Sequence, residues 1–263
     1  MQQRPHIDGS AGDANYGAIG TGYANYRQPE PAIEALILSV LGDARRVLNV
    51  GAGAGSYEPT DREVVAVEPS ESMRAQRPAH LSRAIDATAE SLPFEDGEFD
   101  AAMATFTVHQ WSDLERGLRE VRRVTTGPVA ILTCDPLEVG AFWLSDFAPL
   151  VLSTELRRYP SISRMAEGLG GEVDVIEVPI PLNCRDGFNE AYYGRPEMLL
   201  ENRARRACSA WSFVDAEVAA GYVEALRQSL ADGSWDRKYG FLRRQPDYNG
   251  SLRLIVSRSV ATL

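Results

Sequence analysis

The sequence RRVLNVGAGAGSYE (residues 45–58) joins a short apolar run to three glycines at alternate positions, Gly51, Gly53 and Gly55. An apolar run that enters a glycine-rich turn is typical of a buried strand followed by a ligand-binding loop. Glycine carries no Cβ, so it lets the chain turn sharply and brings backbone close to a ligand. The stretch therefore predicts a strand over 46–50 and a nucleotide-type pocket at its carboxyl end.

Length and composition suit one α/β domain, or one domain with an insertion. The chain has 263 residues, of which 44% are hydrophobic and 24% are charged. No apolar run approaches the roughly 18 residues of a membrane helix. Residues 1–16 are polar and lack the apolar core of a signal peptide. We therefore expect a cytoplasmic protein without a membrane partner.

The charge of the chain argues against a nucleic-acid partner. A formal net charge of −10 repels a polyanion, and the basic residues are scattered along the sequence. The one basic run, RARRA at 203–207, alternates with other residue types as on a solvated helix face. We expect no nucleic acid to bind.

Cysteine and histidine usage argues against a disulfide framework and a metal centre. Three cysteines stand far apart without a CxxC pair, and there are three histidines in the chain. We expect reduced thiols and no metal ion.

Short β-rich runs alternate with helical patterns over the first half of the chain. The spacing predicts a helix over 31–42, further strands over 63–68, 99–108 and 127–135, and a helix over 112–124. This alternation is typical of a parallel sheet wrapped by helices, the α/β class.

The second half is less regular and contains a long insertion. Strand patterns occur at 172–182 and 250–260, and the residues between them are mostly helical in pattern and rich in aromatics and arginine. Insertions of this length are usually lids or binding elements. We expect four parts: a helical lead and cofactor lid (1–45), a core (46–182), a helical acceptor-binding insertion (183–246) and a final core strand (247–263).

Glu68, at the end of the second predicted strand, favours the interpretation of the glycine loop as a nucleotide-type binding site over that of a purely structural turn. An acid at this place accepts the ribose hydroxyls of an adenosine. Two cofactor classes share this geometry. A dinucleotide usually needs GxGxxG, whereas here the third glycine is one residue early and Ser56 takes the sixth place. S-adenosylmethionine has no phosphate and tolerates this GxGxG spacing.

Two later stretches favour the second class. With the glycine loop, VVAVEPSESM (64–73) and DATAESLPFEDGEFDAAMATFTVHQWSD (86–113) resemble the class I S-adenosylmethionine-dependent methyltransferases. The similarity is to the small-molecule branch that includes the ubiquinone/menaquinone and trans-aconitate types, and it covers residues 46–135. It implies a Rossmann-like, doubly wound, mostly parallel seven-stranded sheet with an inserted helical lid, and S-adenosylmethionine as the methyl donor.

The resemblance also implies which residues hold the cofactor. The glycine loop would face its methionine part, Glu68 its ribose, and Thr105 to Thr107, at the end of the strand predicted over 99–108, its methyl group. Arg27 is the expected partner of its carboxylate, since a guanidinium matches two oxygens. The full predicted set is Tyr23, Arg27, Asn49, Gly51, Ala52, Gly53, Gly55, Glu68, Pro69, Met73, Thr88, Ala89, Thr105, Phe106 and Thr107.

Two of these positions depart from the family pattern. Many members carry an acid where Asn49 stands, and an amide keeps hydrogen bonding without the charge. Thr88 also stands where the family often has an acid, so the adenine amino group would lose one side-chain partner. Either weaker cofactor binding or a structural role for Asn49 fits the sequence.

Acceptor binding is expected at the loop that follows the strand predicted over 99–108 and in the insertion. His109 is a candidate base, because its ordinary pKa lies near neutrality, or else a packed core residue. Aromatic side chains beside arginines suit a planar or apolar small molecule with an anionic group. The predicted acceptor residues are Gln110, Trp111, Tyr192, Tyr193, Arg195 and Trp211.

Methyl transfer to a small molecule is thus the expected activity, in a monomer or homodimer. An NAD-type oxidoreductase is disfavoured by the glycine spacing and by the lack of a Tyr-x-x-x-Lys pair, since Lys238 is the single lysine. A non-catalytic protein that binds S-adenosylmethionine on the same scaffold remains the main alternative.

Overall fold

The computed structural model describes residues 26–170 and 172–258. Tyr23 and most of the expected N-terminal lead lie outside these residues.

Eight strands form in the described chain, six of them in one sheet. Their bounds are β1 Arg46–Val50, β2 Glu63–Val67, β3 Ala101–Thr105, β4 Val129–Cys134, β5 Glu172–Glu177, β6 Ile180–Pro181, β7 Asp247–Tyr248 and β8 Leu252–Arg258. The strands predicted around residues 46, 63, 99, 127, 172 and 250 are all present.

The α-helices connect these strands and fill the insertion. They are α1 Pro31–Leu41, α2 Glu71–Arg74, α3 Leu114–Val124, α4 Pro136–Val139, α5 Pro149–Arg158, α6 Ile162–Leu169, α7 Asn202–Ala207, α8 Ala216–Ala231 and α9 Ser234–Tyr239. Short 3₁₀ helices lie at Val108–Gln110, Trp143–Asp146, Asn189–Tyr192, Pro196–Leu200, Ser209–Phe213 and Gly240–Arg244.

The large sheet has the strand order β2-β1-β3-β4-β8-β5. Strands β1 to β4 are parallel, and β8 pairs antiparallel with both β4 and β5. This confirms the predicted Rossmann-like, mostly parallel α/β sheet. Strand order reverses between β1 and β3, which is where ligands bind in sheets of this kind.

The expected seventh strand is reduced to a single bridge. Ile85 pairs in parallel with Val67, its amide donating to Ala66 and its carbonyl accepting from Glu68. The segment before Ile85 forms a turn, in which the Leu81 amide donates to the Pro78 carbonyl. The sheet therefore has six strands rather than seven.

Both faces of the sheet are covered by apolar cores, because side chains alternate along each strand. Val47 and Met103 point to the core shared with α1 and the insertion, whereas Leu48 and Ala104 point to the core under α3 and α6. A strand buried on both faces reads as a continuous apolar run, as the sequence of β1 to β4 does.

The helical insertion begins and ends at a two-stranded ribbon. Strands β6 and β7 pair antiparallel, with Ile180 opposite Tyr248. Aromatic residues of the insertion join the core of the sheet: the Trp143 ring lies 5.4 Å from that of Trp235, and its Nε1 donates to the Tyr193 carbonyl at 2.9 Å. The insertion and the sheet thus share one apolar core.

No helix within residues 26–170 and 172–258 is long and apolar enough to cross a membrane.

Gly51 should tolerate no side chain. Its φ is +68°, and an added Cβ would lie 2.0 Å from Oγ1 of Thr107. Left-handed backbone costs a non-glycine residue about 1–2 kcal/mol, and the clash adds to that. We expect Gly51→Ala to lower the free energy of unfolding by at least ~2 kcal/mol in urea titrations.

Gly221→Ala is the matched control. Gly221 lies in α8 with nothing within 4 Å of an added Cβ. Alanine in a helix is favoured over glycine by about 1 kcal/mol, so this variant should be slightly more stable than the wild type. Equal effects of the two substitutions would contradict the constraint at Gly51.

Candidate functional site

A cavity of about 450 Å³ lies at the carboxyl ends of β1, β2 and β3. This volume is in the usual range of small-molecule and cofactor pockets, about 300–1,000 Å³. It brings together most of the predicted cofactor residues: Arg27, Gly51, Ala52, Gly53, Glu68, Pro69, Met73, Thr88, Ala89, Thr105, Phe106 and Thr107. The predicted acceptor residues Gln110 and Trp111 line it as well.

The glycine loop is fixed to the end of β2 by backbone hydrogen bonds. The amides of Gly51 and Ala52 both donate to the Val67 carbonyl at 2.9 Å. The next amide, of Gly53, donates to Oε2 of Glu68 at 2.8 Å. The loop after β1 and the acid after β2 therefore form one rigid wall of the cavity.

Glu68 combines burial with unused hydrogen-bonding capacity. Its side chain accepts from the amides of Gly53 and Ser70, each at 2.8 Å. Burial raises the pKa of the Glu68 carboxyl, although these two hydrogen bonds oppose the shift. A carboxylate has about four acceptor sites, so two remain for the hydroxyls of a ligand.

Asn49 lies beneath the glycine loop and does not line the cavity. Its Nδ2 donates to Oε1 of Glu58 at 3.0 Å, and Oε2 of Glu58 pairs with Arg77 at 2.8 Å. Arg77 Nη1 in turn lies 3.4 Å from the Gly53 carbonyl oxygen. The negative charge absent from position 49 is thus supplied nine residues later, by Glu58, which sequence reasoning missed.

Comparison with known proteins agrees with this geometry. The family described as "Methyltransferase domain" matches residues 48–128, which contain the glycine loop, Glu68 and the loop after β3. Residues 48–128 form a class I S-adenosylmethionine-dependent methyltransferase domain. The cofactor predicted from the resemblance, S-adenosylmethionine, is confirmed at the level of this family.

Similar proteins share this domain and differ in how much of the chain they cover. An uncharacterized methyltransferase YcgJ of Bacillus subtilis is 34% identical over 90 residues, 30% of this chain and 36% of that protein. A malonyl-[acyl-carrier protein] O-methyltransferase of Erwinia pyrifoliae is 32% identical over 142 residues, 49% of this chain and 52% of that one. The chain therefore spans about a third to a half of these relatives' own length.

A solved structure resembles nearly the whole chain. It is a putative methyltransferase from an antibiotic biosynthesis pathway of Anabaena variabilis, with a TM-score of 0.83 and 25% identity. The alignment covers 89% of this chain and 100% of that one. The similarity thus includes the insertion, which lies outside the matched family region.

Several residues line the methyltransferase cavity that sequence reasoning missed. They are Ala54, Ser56, Tyr57, Ser70, Glu90, Ser112 and Asp186. Glu90 follows Thr88 by two residues in a stretch already singled out, so that stretch contained a signal for it. Asp186 lies in the insertion, and no local pattern marks it.

Glu90 supplies an acid close to Thr88. Its Oε1 accepts from the Ser112 hydroxyl at 2.9 Å and from the Asp113 amide at 3.1 Å. Burial alone would raise the pKa of the Glu90 carboxyl, but the hydrogen bonds to Asp113, Ser112 and Thr88 outweigh it and lower that pKa. A carboxylate therefore lies at this wall although position 88 itself is uncharged.

Arg27 is part of a clamp between the lead and the insertion. Its guanidinium forms an ion pair with Asp186, which also accepts from the Tyr57 hydroxyl at 2.9 Å. Burial, followed by the nearby Asp186 carboxylate, raises the pKa of Tyr57 far above its usual value, so Tyr57 stays a donor. Arg27 also lies over the Phe106 ring, 5.0 Å from its centroid. Arg27, which we predicted to bind the carboxylate of the cofactor, is therefore already paired with the carboxylate of Asp186.

His109 lies behind the cavity wall and not in the cavity lining. It is 5% exposed, and its ring packs 4.8 Å from that of Tyr159. Burial, and then the charges of Arg158 and Arg27, lower the pKa of His109 well below 6.5, so the imidazole is neutral at physiological pH.

The other predicted site residues lie outside the cavity lining. Gly55 continues the turn with φ +97°. Trp211 Nε1 donates to Oδ1 of Asn189 at 3.0 Å, and Arg195 Nη2 donates to the carbonyls of Cys184 and Ala191. Tyr192 and Tyr193 are 2% and 0% exposed. In this structure these side chains hold the insertion together.

Metal-binding clusters of three or more histidine, cysteine, aspartate or glutamate residues are absent from the described ranges. Cys134, Cys184 and Cys208 are free and buried.

Restoring the usual acid at position 49 should destabilise this protein. Asn49→Asp would place a second buried carboxylate about 3 Å from that of Glu58. Repulsion between such charges amounts to several kcal/mol even at moderate effective dielectric. We expect a loss of at least ~2 kcal/mol in the free energy of unfolding at pH 8, measured by urea titration.

The pH dependence and a double variant check the cause. The carboxyl pair would keep a proton in the folded state, so the variant's stability should fall as pH rises from 5 to 8. Asn49→Asp combined with Glu58→Gln leaves one carboxylate at this place, so the fall in stability between pH 5 and 8 should disappear. A stable single variant would refute the Asn49–Glu58 interaction.

Proposed function

We propose that the protein transfers the methyl group of S-adenosylmethionine to a small-molecule acceptor. The observation that supports this proposal is the cavity, which is lined by the glycine loop, Glu68, the loop after β3 and the Arg27–Asp186 pair. The identity of the acceptor and the activity of the whole protein belong to this proposal.

The residues present fit S-adenosylmethionine. A Cβ at Gly51 would clash with Thr107, so this part of the cavity wall is formed by glycine backbone without a side chain. Glu68 has acceptor sites left for two ribose hydroxyls, and the apolar Met73 and Pro69 flank it. When bound, this cofactor supplies an electrophilic methyl group on a sulfonium.

The chain's own contribution is alignment and exclusion of water. An in-line displacement needs the accepting atom, the methyl carbon and the sulfur held in one line, and no covalent enzyme nucleophile. Thr105, Phe106 and Thr107 line the cavity at the carboxyl end of β3. Arg27 and Asp186 line the same cavity, and their ion pair joins the segment before α1 to the insertion.

A small acceptor is supported by this enclosure and by the net charge of −10, which disfavours nucleic acid. The Anabaena structure's assignment to antibiotic biosynthesis also supports a small molecule. The Erwinia relative's name indicates an acyl-carrier-protein-bound acid as its acceptor. A cytoplasmic location, the division into four parts and a monomeric or homodimeric state stay predictions.

Ligand-induced thermal stabilisation tests the cofactor. A ligand at a hundredfold excess over its Kd stabilises the folded state by about 2.7 kcal/mol. We expect such a shift with S-adenosylmethionine and S-adenosylhomocysteine and none with NAD. A shift with NAD alone would refute the proposal.

Glu68→Ala should abolish most of this shift without unfolding the protein, because it removes the acceptors for the ribose. Glu71→Ala is the control, since Glu71 is an exposed carboxylate three residues further on. The control should bind as the wild type does. Equal shifts in both variants would remove Glu68 from the cofactor site.

Turnover requires a separate measurement. Wild-type protein incubated with S-adenosylmethionine and a panel of small molecules should release S-adenosylhomocysteine and a product heavier by one methylene unit, both detected by mass spectrometry. Glu68→Ala should release neither. Full cofactor binding without any product would favour the non-catalytic alternative.

A further inference from the structure

The charged residues of the cavity lining are mostly acids. Within the described part of the chain they are Arg27, Glu68, Glu90 and Asp186. S-adenosylmethionine brings a sulfonium, an ammonium and a carboxylate of its own. A charge that leaves water without a partner is strongly disfavoured, so each of these groups requires a matching charge or dipole in the lining.

The charges beneath the glycine loop do not meet the ammonium. Asn49 is neutral, 1% exposed and outside the cavity lining. The carboxylate of Glu58 is paired with Arg77 at 2.8 Å, and neither of these two residues lines the cavity. The ammonium of the cofactor therefore requires a carboxylate from another segment.

Two of the acids in the lining are engaged at other walls. Glu68, after β2, is held by two backbone amides, and its remaining acceptor sites are those proposed for the ribose hydroxyls. Glu90 accepts from the Ser112 hydroxyl at 2.9 Å, at the wall that contains Thr88. Among the described lining residues, the acid that remains is Asp186.

Asp186 is fixed beside the end of the glycine loop. Its Oδ2 accepts from the hydroxyl of Tyr57, two residues after the last glycine of that loop, at 2.9 Å. The backbones of Arg27 and Asp186 form an antiparallel bridge, and the amide of Gly187 donates to the Tyr26 carbonyl at 2.6 Å. The carboxylate therefore lies next to the loop that is expected to face the methionine part of the cofactor.

The Asp186 carboxylate has capacity for one more donor. Its Oδ1 accepts from Nε of Arg27, and its Oδ2 accepts from the Tyr57 hydroxyl and, at 3.5 Å, from Nη2 of Arg27. A carboxylate has about four acceptor sites, so these contacts within the described residues leave one for a ligand. The Asp186 side chain is 3% exposed, and water therefore screens a ligand charge beside it only weakly.

We propose that Asp186 binds the ammonium group of S-adenosylmethionine, so that the insertion supplies the anion for this end of the cofactor. This inference rests on the proposed function. Arg27 and the ammonium then share the Asp186 carboxylate, and the carboxylate of the cofactor balances the second cation.

The charges of the pair and of the cofactor's amino-acid end sum to zero. Arg27 and Asp186 compensate each other before the cofactor binds, and the ammonium and carboxylate of the cofactor also compensate each other. Binding one neutral pair to another adds attractions without leaving an uncompensated charge in a buried place. The Phe106 ring, 5.0 Å from the Arg27 guanidinium, holds that cation in place. The lining thus selects a ligand that carries both charges on one carbon.

Two nucleosides of equal chain length test the inference. 5′-(3-Aminopropylthio)-5′-deoxyadenosine ends in an ammonium at pH 7, since alkyl amines have ordinary pKa values of about 10. 5′-Butylthio-5′-deoxyadenosine has a methyl group at the same place. Each is titrated by calorimetry into wild-type protein at pH 7. We expect the ammonium nucleoside to bind about tenfold more tightly than the methyl nucleoside, because it adds a charge-assisted hydrogen bond to Asp186.

Asp186→Asn should abolish this preference, because it removes the anion and leaves the cation of Arg27 in place. Glu90→Gln is the matched control, since it also removes one carboxylate from the lining. The control should change the affinities of both nucleosides by one common factor and keep their ratio. Cooperative thermal melting shows that each variant is folded.

Arg27→Gln gives a second test of opposite sign, which keeps the inference falsifiable if Asp186→Asn does not fold. It removes the cation that shares the Asp186 carboxylate. The preference for the ammonium nucleoside should therefore rise about threefold or more, since a like charge is removed from its neighbourhood. If Asp186 had only a structural role, both variants would weaken the two nucleosides alike.

Failure of this inference is distinguishable from failure of methyl transfer. Binding of S-adenosylhomocysteine to the wild type is measured alongside, and its absence would refute the proposed function. If that nucleoside binds but the wild type does not prefer the ammonium nucleoside, or Asp186→Asn keeps the preference, or Glu90→Gln alone abolishes it, the role of Asp186 is overturned.

Discussion

The site depends on the close approach of two loops at the point where the strand order of the sheet reverses. Gly51 has a positive φ and leaves no room for a Cβ beside Thr107. Because the loop after β1 reaches the loop after β3 in this way, the Gly53 amide can donate to Glu68 after β2. Three chain segments then form one wall, and the cavity follows from their contact.

Beneath that wall lies a buried ion pair, in which the carboxylate comes from Glu58 and not from position 49. Asn49 donates to Glu58, and Glu58 pairs with Arg77, whose guanidinium approaches the carbonyl of Gly53. Burying such an ion pair costs several kcal/mol of desolvation, which the attraction between the two charges and the hydrogen bond from Asn49 offset. The family's usual acid is absent from position 49, yet a buried carboxylate still lies beneath the loop.

The methyltransferase domain and the insertion both line the cavity. The family match ends at residue 128, whereas Glu155, Asp186 and Asn189 all lie beyond it. The glycine loop and Glu68 lie in the matched part of the chain, whereas Arg27 and Asp186, which line the same cavity, lie outside it. The family match therefore covers only part of the cavity lining, and a common fold does not identify the substrate.

Local patterns predicted the elements and the cofactor wall well. Strand β1 spans the predicted residues, α1 differs by one residue, and the glycine spacing with Glu68 selected the cofactor class. These features are readable because periodicity and turn chemistry act over a few residues. The prediction of a seventh strand was wrong, since only Ile85 of the segment after α2 pairs with the sheet.

What the sequence determined by itself is the Rossmann-like scaffold and the residues of the glycine loop and Glu68. The tertiary structure alone decided that Arg27 pairs with Asp186, 159 positions away, and that Asn189 donates to Glu155. It also assigned the aromatics of the insertion to the apolar core. Aromatic and charged residues have the same local pattern in a core, a clamp or a binding site, and only the packing of distant segments distinguishes these roles.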